Sequence, residues 1–169
     1  MNTASAPDDC IFCHIVAGKS PSHTVLEDDN HIAFLSIFPN TPGFTVVIPK
    51  RHVSSDVMAL DDHTYTELML FTKKVDSILR RGLLVDRCAL VVEGMMINHA
   101  HAKLVPLHGL DGRTCVVSQG SAYSDAYEGY VTTMEGPRAS DKDLAALLSL
   151  IHSRIAAAQK PQKHESLAS

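Results

Sequence analysis

The sequence predicts an α+β fold, an antiparallel sheet with a long helix packed on it and a C-terminal loop and helix added. Three observations carry this. Five short segments read as strands from apolar runs or from alternation, at residues 24–26, 31–35, 44–48, 88–92 and 101–105. A long helical repeat falls between the third and fourth of them. A second helical repeat lies near the end, after a stretch rich in Gly, Ser and Tyr.

Taken in order, a polar tail at residues 1–9 leads into a turn built on Cys10-Ile11-Phe12-Cys13, and the first three strands follow. Asp61 or Asp62 can cap the long helix, on which Tyr65, Leu68, Phe71, Val75, Ile78 and Leu79 recur at three- and four-residue steps, with Gly82 as its stop. Residues 111–137 form a long connection containing Tyr123, Tyr127 and Tyr130, which would either fold over a site or make a subunit contact. The last helix has Ser140 or Asp141 as cap and Leu144, Leu147, Leu148, Ile151 and Ile155 on one face. Polar residues from 159 onward would fray. The organisation is thus a flexible tail (1–9), a main domain (10–110), a loop-and-helix extension packed on it (111–158) and a second tail (159–169).

At 169 residues with 45% hydrophobic content, the chain suits one domain with a sizeable core. A net charge of −4 gives no reason to expect a nucleic-acid partner such as duplex DNA. Residues 1–9 carry neither a basic start nor an apolar stretch, so no signal peptide is expected. No apolar run approaches the ~18–20 residues that span a bilayer, so no membrane association is expected. Four cysteines, two of them available to a metal and Cys88 placed in an apolar run, fit a reducing compartment, and the expected location is cytoplasmic.

The chemistry concentrates at Asn98-His99-Ala100-His101-Ala102-Lys103-Leu104. In a strand, His99, His101 and Lys103 share one face at roughly 6.5–7 Å spacing, with only small residues between the histidines. That is a poor way to fill a core and a plausible way to build a site, although ten histidines make some close pair unsurprising. The Cys10-x-x-Cys13 spacing lets two thiolates take one metal ion; it also occurs in redox enzymes, and free cysteines are common core residues. A buried-looking strand ends in Val47-Ile48-Pro49-Lys50-Arg51-His52. Together Cys10, Cys13, His52 and His99 complete a tetrahedral zinc shell, which leaves His101 free of the metal. His108, in the turn just past the last strand, would either give a proton to a leaving group or serve as an ordinary polar turn residue.

These segments, with Glu27-Asp28-Asp29, Ala33-Phe34-Leu35-Ser36-Ile37-Phe38-Pro39 and Pro42-Gly43-Phe44-Thr45-Val46-Val47-Ile48, resemble the histidine triad (HIT) family in sequence and order, from about Cys10 to Leu110. The resemblance is to the zinc-bearing branch, which implies one structural Zn2+ per chain on Cys10, Cys13, His52 and His99, and His101 as the nucleophile. It also implies substrate contacts at Ile11, Phe12, Phe34, Ser36, Ile37 and Asn98, with His108 as a further candidate, and a homodimer. The family pattern His-x-His-x-His ends here in Lys103, which could hold a phosphate oxygen as a point charge. A serine, Ser36, stands where the family usually has an acid for the ribose hydroxyls. The usual Gly-Gln-Ser loop is replaced by Glu93-Gly94-Met95-Met96-Ile97-Asn98.

What the resemblance implies is a nucleotide hydrolase or nucleotidyl transferase. It would act on dinucleoside polyphosphates or nucleoside phosphoramidates through a covalent nucleotidyl-histidine, with Lys103 stabilising phosphorane charge. The rival is a nucleotide-binding or protein-interaction module on the same fold without turnover. A redox protein built on the Cys-x-x-Cys is the third reading, which metal content would dismiss.

Overall fold

The computed structural model describes residues 9–110 and 135–158. A six-residue helix, α1 (Ile11–Val16), opens it. Strands β1 (Thr24–Glu27), β2 (His31–Leu35) and β3 (Thr45–Pro49) follow. Helix α2 (Asp62–Leu83) separates them from β4 (Cys88–Val91) and β5 (Ala102–Pro106), and α3 (Asp141–Ala158) closes the chain. The five strands form one fully antiparallel sheet in the order β1-β2-β3-β5-β4. The α+β expectation is met. Three details differ from it. The Cys-x-x-Cys lies on a helix, not a turn, with Cys10 as its N-cap residue. His101 precedes β5 instead of opening it. Gly82 does not stop α2: the helix runs on to Leu83 and ends at Leu84, whose φ of 57° supplies the left-handed cap that glycine usually provides.

Strand alternation divides the molecule. One face of the sheet sends Ala33, Leu35, Val47, Ala102 and Leu104 against α2, where Leu68, Val75 and Leu79 are fully buried. Burying each of those three stabilises the fold by roughly 1.5–3 kcal/mol. Helix α3 packs on α2, and at Gly82 the two stand so near that a Cβ there would be 2.6 Å from Ile151 Cγ2 and 2.9 Å from its Cα. The opposite face sends Ile32, Phe34, Val46 and Ile48 against α1 through Cys10 and Phe12. That second face carries the site.

Capping fixes the helices to their surroundings. Asp61 accepts the backbone N–H of Thr64 at 2.9 Å and its hydroxyl at 2.8 Å. Arg51, beside His52, donates to the same Thr64 oxygen at 3.0 Å, so the segment after β3 is tied to the start of α2. Ser140 caps α3, accepting from Asp143 N at 3.1 Å. Just before it, Ala139 N–H donates to Ile37 O at 2.8 Å, which docks the entry to α3 onto the loop after β2. The tyrosine-containing connection lies for the most part outside the described residues, as do the tails at 1–8 and 159–169. No helix among the described residues is long and apolar enough to cross a membrane.

Candidate active site and metal centre

Four side chains from three separate parts of the chain meet between α1 and the sheet. The ligand atoms of Cys10, Cys13, His52 and His99 all lie within 4.8 Å of one another. Cys10 Sγ is 3.5 Å and Cys13 Sγ 3.6 Å from His99 Nδ1, and Cys13 Sγ is 3.3 Å from His52 Nδ1. The other ring nitrogen of His99 donates to Pro49 O at 2.8 Å, which fixes the tautomer and leaves Nδ1 as a lone pair facing the thiols. Burial pushes the His99 imidazole down to about 4, assisted by His52 and His101 nearby, so it is neutral at physiological pH. Two sulfurs and two imidazoles converging with the outer nitrogen of His99 already satisfied form a group that can bind a metal ion. The short helix explains the geometry: Cys10 as N-cap and Cys13 one turn later bring both sulfurs to one end of α1.

His101 lies outside that quartet and lines the neighbouring cavity. Its Nδ1 is 2.7 Å from His99 O. A carbonyl only accepts, so Nδ1 carries the proton and Nε2 is left with a lone pair. The residue is 2% exposed, and burial lowers the pKa of its ring from the ordinary histidine value. Phe12 meets both rings edge-on, 5.7 Å from His99 and 5.5 Å from His101 between centroids.

His101 borders a cavity of about 410 Å³ whose walls are mostly apolar. Of the candidate residues, Ile11, Phe12, Phe34, Ser36, Ile37, His101 and Lys103 line it. Such a space, apolar with a few convergent polar groups, suits a small organic ligand. Two candidates are placed elsewhere. Asn98 spends its side-chain oxygen on Ser55 N at 3.2 Å, and His108 donates to Pro42 O at 2.9 Å in a separate hollow with Val105 and Leu110. Ser36 lines the cavity while its hydroxyl accepts Phe38 N–H at 3.1 Å.

The structure adds groups that the sequence reading passed over. Arg138 and Asp141, at the entry to α3, line the cavity rim, and Asp141 accepts from His23 Nε2 at 3.1 Å. Lys103, expected to await a phosphate, is ion-paired with Glu93. Glu93 follows β4 and reaches Lys103 because the β4–β5 register sets Val91 opposite that lysine, a pairing that no side-chain pattern announces.

An antiparallel α+β domain with a cysteine–histidine group that could hold a metal ion, set behind a histidine-lined cavity, defines a narrow class of proteins. A family model described as the HIT domain matches residues 17–110, more than half of the chain, and this protein belongs to that family. It is similar to an uncharacterised HIT-like protein of Borreliella burgdorferi, 35% identical over 111 residues, covering 62% of this chain and 79% of that one. Its fold matches a hypothetical histidine triad nucleotide-binding protein of Sulfolobus tokodaii with a TM-score of 0.65 at 24% identity, over 88% of this chain and 93% of that one. It also matches a Zn-bound histidine triad family protein of Mycobacterium smegmatis, TM-score 0.60 at 22% identity, over 90% and 99% of the two chains. Likeness at these identities speaks to the fold.

Proposed function

We propose that this chain is a nucleotide hydrolase or nucleotidyl transferase acting on nucleoside phosphate derivatives, with His101 as its nucleophile. The observation that carries the reading is the hydrogen bond from His101 Nδ1 to His99 O, 2.7 Å, which presents an unprotonated Nε2 at the edge of the cavity. HIT proteins are typically hydrolases or transferases of nucleotides, and the apolar wall of Ile11, Phe12, Phe34 and Ile37 suits a base and sugar. Ser36 would offer the ribose a hydroxyl. Nε2 attacks phosphorus, the bond to the leaving group breaks with its electron pair, and a nucleotidyl-histidine results. Water, or a phosphorylated acceptor, then attacks the same phosphorus and returns the electron pair to Nε2. Dinucleoside polyphosphates and nucleoside phosphoramidates are the substrate classes in this reading.

The donor set Cys10, Cys13, His52 and His99 fits one Zn2+ in a closed four-ligand shell. Bound there, zinc supplies rigidity and not reaction chemistry. His99, held from both ring nitrogens, then fixes the carbonyl on which His101 rests. A homodimer in a reducing, cytosolic setting that keeps Cys10 and Cys13 as thiols completes the reading.

A nucleotide-binding module without turnover has one observation in its favour, that Lys103 is already engaged by Glu93. Incubation with adenosine phosphoramidate and with diadenosine tetraphosphate, following AMP release for wild type beside His101→Ala, separates the two. Release that is lost in the variant supports the enzyme. Tight nucleotide binding with no release from folded, zinc-loaded protein supports the module.

A further inference from the structure

Glu93 is the charged group that the reading above leaves without a task. Its side chain is only 3% exposed, and Lys103, its partner, is 12% exposed. Glu93 Oε1 takes the Lys103 ammonium, while Oε2 is buried with no hydrogen-bond partner among the described residues. A buried ion pair is costly to assemble and contributes little net stability against an apolar pair, so its presence beside a candidate nucleophile asks for a reason. Register supplies the geometry. Cys88 faces Pro106 and Val91 faces Lys103, where the ladder ends, and Glu93 lies two residues beyond Val91, within reach of the Lys103 ammonium. His101 senses both charges, Lys103 lowering and Glu93 raising its pKa, and Lys103 also lines the cavity. The chain then turns sharply at Gly94, where φ is 65° and a Cβ would stand 2.4 Å from Ser55 O, so the position of Glu93 is fixed from behind.

We propose that Glu93 is a positioning residue acting through Lys103, holding its ammonium at the cavity wall near His101 so that Lys103 delivers the leaving-group proton. The proposal rests on His101 being the nucleophile. An ammonium largely withdrawn from water needs an opposite charge beside it, and the Glu93 carboxylate supplies one and fixes where Nζ sits. As the bond from Nε2 to phosphorus forms, the bond to the leaving atom breaks, and that atom keeps the electron pair and takes a proton from Lys103 Nζ. In the second step water bonds to phosphorus through its oxygen, loses a proton to the now neutral Lys103, and the phosphorus–Nε2 pair returns to His101. The net reaction adds water across the bond broken, and every group is restored. An alkylammonium is a weak acid, so its proton helps only strongly basic departing atoms, such as the nitrogen of an amine or the oxygen of an alkoxide.

Leaving-group dependence is therefore the test. Wild type, Glu93→Gln, Lys103→Met and the double variant are compared on the adenosine 5′-phosphoramidate of an alkylamine and on the 4-nitrophenyl ester of AMP, whose leaving group needs no proton. Either single substitution should slow the alkylamidate by about 100-fold and the nitrophenyl ester by less than about 10-fold. The double variant should be no slower than Lys103→Met, because Glu93 acts only through the lysine. Equal losses on both substrates, or losses that multiply in the double variant, overturn the proposal while leaving His101 untouched. If wild type and His101→Ala release AMP equally from both compounds, or neither releases any, the reading of the site falls and this proposal with it. Should Glu93→Gln fail to fold, Glu93→Asp, which retracts the carboxylate by one methylene, gives the same comparison with an intermediate loss expected on the alkylamidate alone.

Discussion

His99 and His101 stand two residues apart and commit their ring nitrogens to different partners. His99 points Nδ1 at two sulfurs and gives its other N–H to Pro49, whereas His101 gives Nδ1–H to the backbone of His99. One backbone carbonyl thus links the metal-binding group to the candidate nucleophile. In the metal-free protein burial holds His99 at about 4, against roughly 6.5 in an unfolded chain. The folded state therefore binds fewer protons than the unfolded one between those values, so stability is complete above about pH 6.5 and declines as pH falls toward 4. The gap corresponds to roughly 3 kcal/mol. Thermal denaturation of chelator-treated protein from pH 7.5 to pH 4 should show Tm falling through that window, and a flat profile would contradict it. At this scale the sequence was most legible where spacing carries chemistry: Cys10, Cys13, His52 and His99 were grouped by ligand type, and the structure brings them together. Glu93 was illegible because nothing in a single sequence says which strands pair. Asn98 and His108 looked available because the backbone groups that engage them, Ser55 N and Pro42 O, leave no trace in side-chain pattern.

The strands and α2 were readable because apolar periodicity is strong in all of them; observed bounds differ from expectation by a residue or so. Helix α1 was not, since six residues are too few to show a repeat and Cys10 offers no side-chain cap bond. Gly82 was misread for a physical reason. Glycine is found both at helix ends and where two helices touch, and here the demand is contact with Ile151. Gly82→Val should force α2 and α3 apart and destabilise the fold by about 1–3 kcal/mol, read from urea denaturation, with α2 otherwise retained. An unchanged midpoint would mean the two helices do not pack as described.

The whole molecule divides its labour between two faces of one sheet. The face toward α2 and α3 is apolar core, while the face toward α1 holds the metal-binding group, His101 and the cavity. Perturbing the first face should cost stability alone; perturbing the second should also cost any metal that Cys10, Cys13, His52 and His99 hold. Cys13→Ala should abolish stoichiometric zinc by elemental analysis and lower Tm, because a metal held by a folded site adds its binding free energy to folding. Chelation of the wild type should lower Tm in the same direction, and a metal-insensitive Tm would remove zinc from the account. His101→Ala, in contrast, should keep zinc and Tm close to wild type while turnover is lost, since its ring bonds only the backbone of His99 and none of the four ligand atoms. Substrate choice stays hidden in sequence because the cavity is assembled from parts far apart in the chain, with Arg138 and Asp141 arriving from the entry to α3.

The most direct test of the central claim is to capture the covalent intermediate. Wild type and His101→Ala are mixed with adenosine phosphoramidate, stopped under non-acidic denaturing conditions that preserve a phosphorus–nitrogen bond, and mapped by peptide mass spectrometry. An adenylyl group on His101 in the wild type, absent from the variant, is the predicted result; AMP release that persists in His101→Ala, or an adenylyl group on another residue, would contradict it.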